Sequence, residues 1–225
     1  TDVASGQKQY QIVNKKRLFE KWKNVLQKEH FKEGENVFRA RERSAKKPCL
    51  LMVDHYVPTY DQDAGSRTVF EYLKLFVKIG YDVKFIPDNF NRSEPYTTTL
   101  QQMGIEVLYG PWYAQHWKEW VLENARQIEY VFLNRPHISV KYIDFLRQVT
   151  SARIIYYGHD LHFLREERQY EITKDLALLE SSAKWRAIEL SLMRKADMAY
   201  YPSSIEEAYI HNISPDIRVK PIPSY

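Results

Sequence analysis

The sequence predicts an α/β protein built on a parallel sheet with helices on both faces, and three observations predict it. Short apolar runs such as "CLLMVD" and "YVFLN" recur along residues 48–225. Each is followed by a longer stretch with apolar residues at helical spacing. The runs are apolar throughout rather than alternating, as strands buried on both faces are, and strands separated by helices run parallel.

Taken in order, "CLLMVDH" predicts the first strand and "SRTVFEYLKLFVKIG" a helix with Val69, Phe70, Leu73 and Val77 on one face. Gly80 stops that helix. "YDVKFIPD" is the second strand, "YTTTLQQMG" a short helix closed by Gly104, and "IEVLYG" the third strand. "QHWKEWVLENARQ" is helical, "EYVFLN" is the fourth strand, and Pro136 suits the first turn of a helix running to Val149. "ARIIYYGHD" is the fifth strand, followed by a long loop and the helix "DLALLESSAKWRAIELSLMRKA". "DMAYYP" is the sixth strand, Ser203 with Glu206 forms a capping box, and "IRVKPIP" is the last strand. Right-handed crossovers turn this order into a doubly wound, Rossmann-like sheet of about seven strands.

Residues 1–47 differ. From Gln7 to about Lys47 the pattern is helical, with Ile12, Phe19, Trp22 and Leu26 on one face and Gly34 as an interruption. The sequence therefore divides into a helical extension, 1–47, and an α/β domain, 48–225. The extension holds 13 Lys or Arg against 6 Asp or Glu, whereas the remainder holds 20 against 23. The basic character of the chain belongs to this segment. Such a segment suits an anionic membrane face, nucleic acid or an acidic partner, although a plain solvated helix is the simpler account of it. If it has a partner role, that role is peripheral contact with a membrane, and no nucleic-acid partner is expected.

Composition narrows the function classes. No apolar run approaches the roughly 20 residues of a membrane helix. One cysteine, Cys49, excludes an intramolecular disulfide and multi-cysteine metal sites, and fits a reducing, cytoplasmic setting. No G-x-G dinucleotide fingerprint and no G-x-x-x-x-G-K phosphate loop occurs, which counts against a nicotinamide enzyme or an NTPase.

In a doubly wound sheet, ligands bind beyond the carboxyl ends of the strands. The candidate residues are therefore in the loops there. "DQDAGSRT" leads into a helix whose first amides and dipole favour an anion, with Gly65 allowing close approach, Ser66 beside it and Arg67 adding charge. The same residues serve a local purpose if Asp63 caps the helix and Gly65 eases a turn. After the second strand, Asp88 and Asn89, with Arg92 nearby, suit a polyol. "YGPWY" offers aromatic faces. "NRPH" places Arg135 and His137 at the rim. "YYGHDLHFLREER" places His159, Asp160 and His162 there. A metal held by His159 and His162 lacks a third ligand in sequence, and no metal site is expected. His159 is better suited to hydrogen-bonding a hydroxyl-rich ligand.

These loops together resemble the N-terminal half of GT-B glycosyltransferases, in particular the large group 1 retaining family. The likeness rests on "LLMVDHYVPTYDQDAGSRT", "GYDVKFIPDNF", "GIEVLYGP", "FLNRPH", "IIYYGHDLHFLREER" and "KADMAYYPSS", in that order over residues 48–225. The pairing of D-x-D-A-G-S-R with H-D-L-H-x-L-R-E resembles a bacterial branch associated with surface polysaccharides. The resemblance implies an acceptor-binding domain facing a second, C-terminal domain that holds the nucleotide-sugar. It implies that the Gly65–Ser66 loop approaches the donor diphosphate or the acceptor, that His159 lies near the transferred sugar, and that no metal or cofactor is bound. One departure matters. The family's donor domain carries two glutamates eight positions apart, and no such pair occurs here. The expectation is half of a GT-B enzyme, inactive without its C-terminal partner domain. The alternatives are a non-catalytic carbohydrate- or partner-binding module that keeps the fold, and, with less support, half of a sugar-nucleotide epimerase.

Overall fold

The protein is described by a computed structural model over residues 7–32 and 43–224. Two compact units divide the chain, residues 1–47 and 48–225. In the first unit, helix α1 spans Gln7–Glu29. Gly34, read as the interruption of a longer helix, lies outside the described residues.

The second unit alternates strand and helix, except that two helices lie between the fifth and sixth strands. Strand β1 (Cys49–Asp54) is followed by α2 (Ala64–Lys78), β2 (Asp82–Pro87), α3 (Tyr96–Gln102), β3 (Glu106–Val107), α4 (Pro111–Asn124) and β4 (Ile128–Asn134). Then come α5 (Pro136–Val149), β5 (Arg153–Tyr157), α6 (His162–Thr173), α7 (Leu176–Lys195), β6 (Met198–Tyr201), α8 (Ser204–Ile213) and β7 (Val219–Pro221). All seven strands are parallel, in the order β3-β2-β1-β4-β5-β6-β7. The order reverses between β1 and β4. This is a Rossmann-like sheet, and its reversal point is where such sheets open a crevice.

The apolar strand runs have a direct cause. Successive β1 side chains enter opposite cores: Cys49, Leu51 and Val53 one, Leu50 and Met52 the other. Val69 and Leu73 of α2 and Leu100 of α3 fill the second core. Ile138, Tyr142 and Leu146 of α5, Leu192 and Met193 of α7 and Ile210 of α8 fill the first. Both faces of the sheet are thus covered, and neither can tolerate polar alternation. Asp82 and Lys84 are the exceptions inside β2, and Lys84 is neutralised by Asp82 at 3.0 Å and Glu106 at 2.9 Å. Among the described residues no helix is long and apolar enough to cross a membrane.

Three details correct the sequence reading. The segment taken as a long loop after the fifth strand contains α6, whose polar sequence buries little beyond Phe163. Helix α4 begins at Pro111, not Gln115, with a kink at His116. On α2, Tyr72, not named on the predicted face, is fully buried, while Phe70 and Val77 pack against the same core half-buried.

Gly158, at the exit of β5, has no room for a side chain. A methyl group there would overlap the buried ring of Tyr201 from β6. Gly158→Ala must displace that ring or the strand exit, and overpacking of this kind costs about 1–3 kcal/mol. Urea unfolding should show that loss at unchanged m-value.

Candidate functional site

The rim above the β1–β4 reversal is organised by charge. Asp54 ends β1 as a buried carboxylate. Burial pushes its carboxyl up, while Arg135 and the amide of His55 pull it down. Its partner is Arg135, the first residue after β4, whose Nε donates to Asp54 Oδ1 at 2.9 Å. Arg135 holds φ at 62°, a left-handed backbone that is unusual for a residue with a side chain. Its amide donates to the Tyr157 carbonyl of β5 at 3.0 Å, which fixes that turn.

The guanidinium then extends to the start of α2. A Cβ on Gly65 would sit 2.6 Å from Arg135 Nη2. A side chain at position 65 would have to displace that guanidinium, so part of the space beside Gly65 is taken by the protein's own arginine. Asp63 caps the helix, accepting from the Ser66 amide at 2.8 Å and from Ser66 Oγ at 2.6 Å. Tyr56 also donates to Asp63, at 3.0 Å. Although burial raises the Asp63 carboxyl, these donors and Arg135 hold it below its ordinary range. Arg67 donates its amide to the Asp63 carbonyl. The amides of Ala64 and Gly65 have no acceptor among the described residues. The helix end thus keeps two free donors beside a guanidinium.

His159, after β5, lies close enough to Arg135 to feel its charge. Its backbone is also left-handed, at φ 65°. Asn134, fully buried at the end of β4, donates from Nδ2 to the Val53 carbonyl at 3.0 Å. A carbonyl can only accept, so the amide orientation of Asn134 is fixed and its Oδ1 faces His159 Nε2 at 3.3 Å. Nε2 must therefore carry the proton, which leaves Nδ1 as an acceptor. Burial, and then the charge of Arg135, push the His159 pKa down to about 3. The imidazole is neutral at neutral pH. It can orient a hydroxyl and cannot act as a general acid there.

His55, His137 and His162 continue the rim, with ring centroids 5.9 Å apart for His55–His137 and 6.3 Å for His137–His162. All three pKa values are lowered, first by burial. Under α6, Glu189 is buried and accepts from the amides of His162 at 3.3 Å and Phe163 at 3.1 Å. Burial pushes its carboxyl up to about 8 despite those donors. Among the described residues no group of three or more His, Cys, Asp or Glu is arranged to hold a metal ion.

Of the residues singled out from sequence, Gly65, Arg135, His137 and His159 meet at this rim. Ser66 is adjacent but turned inward, with its hydroxyl used by the cap. Arg67 is exposed and makes no ion pair among the described residues. Asp88 is engaged by Lys141 at 2.6 Å and Tyr142 at 3.0 Å. The Asn89 side chain accepts from the Asn91 amide and shapes its own turn. Asp160 pairs with Arg165 and with His162. Asp54, His55, Asn134 and Glu189 were missed. Asp54 and Asn134 had a signal, a polar residue closing an apolar strand; Glu189 had only its place among the apolar residues of α7.

No family model matches the chain, and no curated protein matches it.

The His159 geometry fixes a pH dependence. Its folded pKa lies below its ordinary value of 6.5, so the fold binds fewer protons than the unfolded chain between the two values. The associated stability is fully present above pH 6.5 and falls as pH drops toward 3. Glu189, raised to about 8, acts oppositely, gaining stability as pH falls from 8 to its ordinary 4.5. Comparison with a variant separates the two. Between pH 7 and 4.5, wild type should lose about 2.5 kcal/mol more than His159→Gln, by urea unfolding.

Proposed function

We propose that residues 48–225 form the acceptor-side half of a retaining glycosyltransferase built from two facing Rossmann-like domains, of the group 1 kind that the loops resemble. The observation that supports it best is the meeting of Gly65, Arg135 and His159 on one rim at the β1–β4 reversal, with Arg135 Nη2 2.6 Å from a Cβ position on Gly65. A guanidinium set against the positive end of a helix is unfavourable by itself and becomes favourable when an anion joins them.

In this reading the anion is the diphosphate of a nucleotide-sugar, which is the substrate. Arg135 and the amides of Ala64 and Gly65 face its developing charge as the glycosidic bond breaks, the task that preorganised donors perform in transfer chemistry. His159, neutral and protonated on Nε2, accepts a hydrogen bond from a hydroxyl of the transferred sugar at Nδ1. The acceptor, a sugar or glycan, lies toward the loops after β2 and β3. Asn89, Asn91, Arg92 and Tyr109 line a groove there of about 420 Å³, a polar and aromatic lining suited to a saccharide. The donor wall and its paired glutamates belong to a C-terminal domain of the same gene product, outside residues 48–225. Retention of configuration, the sugar and the linkage follow from the family likeness alone.

The test is sugar transfer by the product of the gene that encodes this chain, assayed against a panel of nucleotide-sugars and glycan acceptors. His159→Ala should lower kcat by about 100-fold with little change in KM, as loss of one preorganised hydrogen bond does. Gly65→Val should displace Arg135 and reduce kcat/KM comparably. Full activity in both variants would remove the assignment, as would the absence of transfer with every donor.

A further inference from the structure

The first unit carries a surface that the transfer reading does not use. Helix α1 holds seven Lys or Arg against two Glu, a balance of +5 over 23 residues. On a helical repeat, Ile12, Phe19 and Leu26 fall in one row seven residues apart, with Trp22 and Leu18 beside them. The stripe is open: Ile12 and Leu18 are each 58% exposed, Phe19 47% and Trp22 43%. Lys16 and Lys23 border it on one side, and Lys21 and Lys28 on the other. Lys15 falls within the stripe, where a long aliphatic stem can lie along apolar neighbours while its ammonium reaches water.

Three kinds of occupant compete for such a face. A second copy of α1 would bring another +5 against the same charge, which opposes self-pairing. Nucleic acid would satisfy the lysines but leave the apolar stripe in water. A bilayer surface with anionic headgroups answers both features, taking lysines at the phosphate level and Ile12, Phe19 and Leu18 among the upper acyl carbons. Trp22 is then at the depth where amphipathic rings concentrate.

We infer that α1 is an interfacial anchor that docks on an anionic lipid surface through its Ile12–Leu18–Phe19–Trp22 stripe. The helix lies in the plane of the surface and does not span it, since its charges are spread along its whole length.

Co-sedimentation of the 225-residue chain with vesicles tests this. One set is phosphatidylcholine alone, and the other has about a third of its lipid as phosphatidylglycerol. The chain should pellet with the anionic set, release as salt is raised, and remain largely free with the neutral set. Lys16→Gln with Lys23→Gln should weaken anionic binding roughly thirtyfold, the effect of two surface charges. Phe19→Asp with Trp22→Asp should abolish it, while circular dichroism confirms that the sheet unit of each variant is folded. Equal binding to both vesicle sets, no binding to either, or unchanged binding by the aspartate variant would overturn the inference. So would a dimer, seen in gel filtration without lipid, that the aspartate variant converts to monomer, since the stripe would then be covered by a second copy.

Discussion

The Asp54–Arg135 ion pair is the constraint on which the site depends. Strands β1 and β4 lie side by side, but the helices that follow them pass to opposite faces of the sheet, so their starts diverge and leave a crevice. Asp54 closes one strand and Arg135 follows the other. A buried pair of this kind gains little net stability, because the desolvation of both ions offsets most of the attraction. Its effect is positional. Bound through Nε, the guanidinium leaves its remaining donors directed at the start of α2, against Gly65. Helix dipole and arginine oppose one another there, and the buried carboxylate holds the arrangement in place. Asp54 and Asp63 offset part of this positive charge, and the proposed reading places a further anion at the donors that remain.

The arginine of this pair also bears on the protonation of the histidines, after burial. Arg135 lowers the pKa of His55, His137 and His159, adding to the burial that leads in each case. Asn134 then selects the tautomer of His159, because its own Nδ2 is committed to the Val53 carbonyl. Strand order thus becomes chemistry in two steps. The topology brings Asn134 and Arg135 beside β1, and those two residues decide where the imidazole proton sits. A ring in this state can accept a hydrogen bond at Nδ1 and holds no second proton to give at neutral pH.

Much of the architecture was legible because burial on both faces leaves no freedom in the strands. Cys49–Val53 must be apolar whichever way each side chain points, and their sequence is apolar throughout. The helix α6 was not legible, since "HFLREERQYEIT" is mostly charged and polar and Phe163 is its one fully buried residue. For the site, Gly65, Arg135 and His159 stand out as a glycine, an arginine and a histidine placed just past strand ends. Their purposes did not. Gly65 looks like room for a ligand, and the space beside it is filled by Arg135, 81 residues later in sequence than Asp54, its partner. Glu189 could not be found, because a carboxylate accepting the first amides of another helix has no local pattern.

The account is tested most directly by amide-resolved NMR of the chain titrated with inorganic diphosphate. The largest shifts should fall on Ala64 and Gly65 amides and on Arg135 Nε–H, and Asp54→Asn should weaken them together. Shifts confined to other parts of the molecule, or none at those three groups at saturating diphosphate, would contradict the claim that the β1–β4 crevice is an anion site.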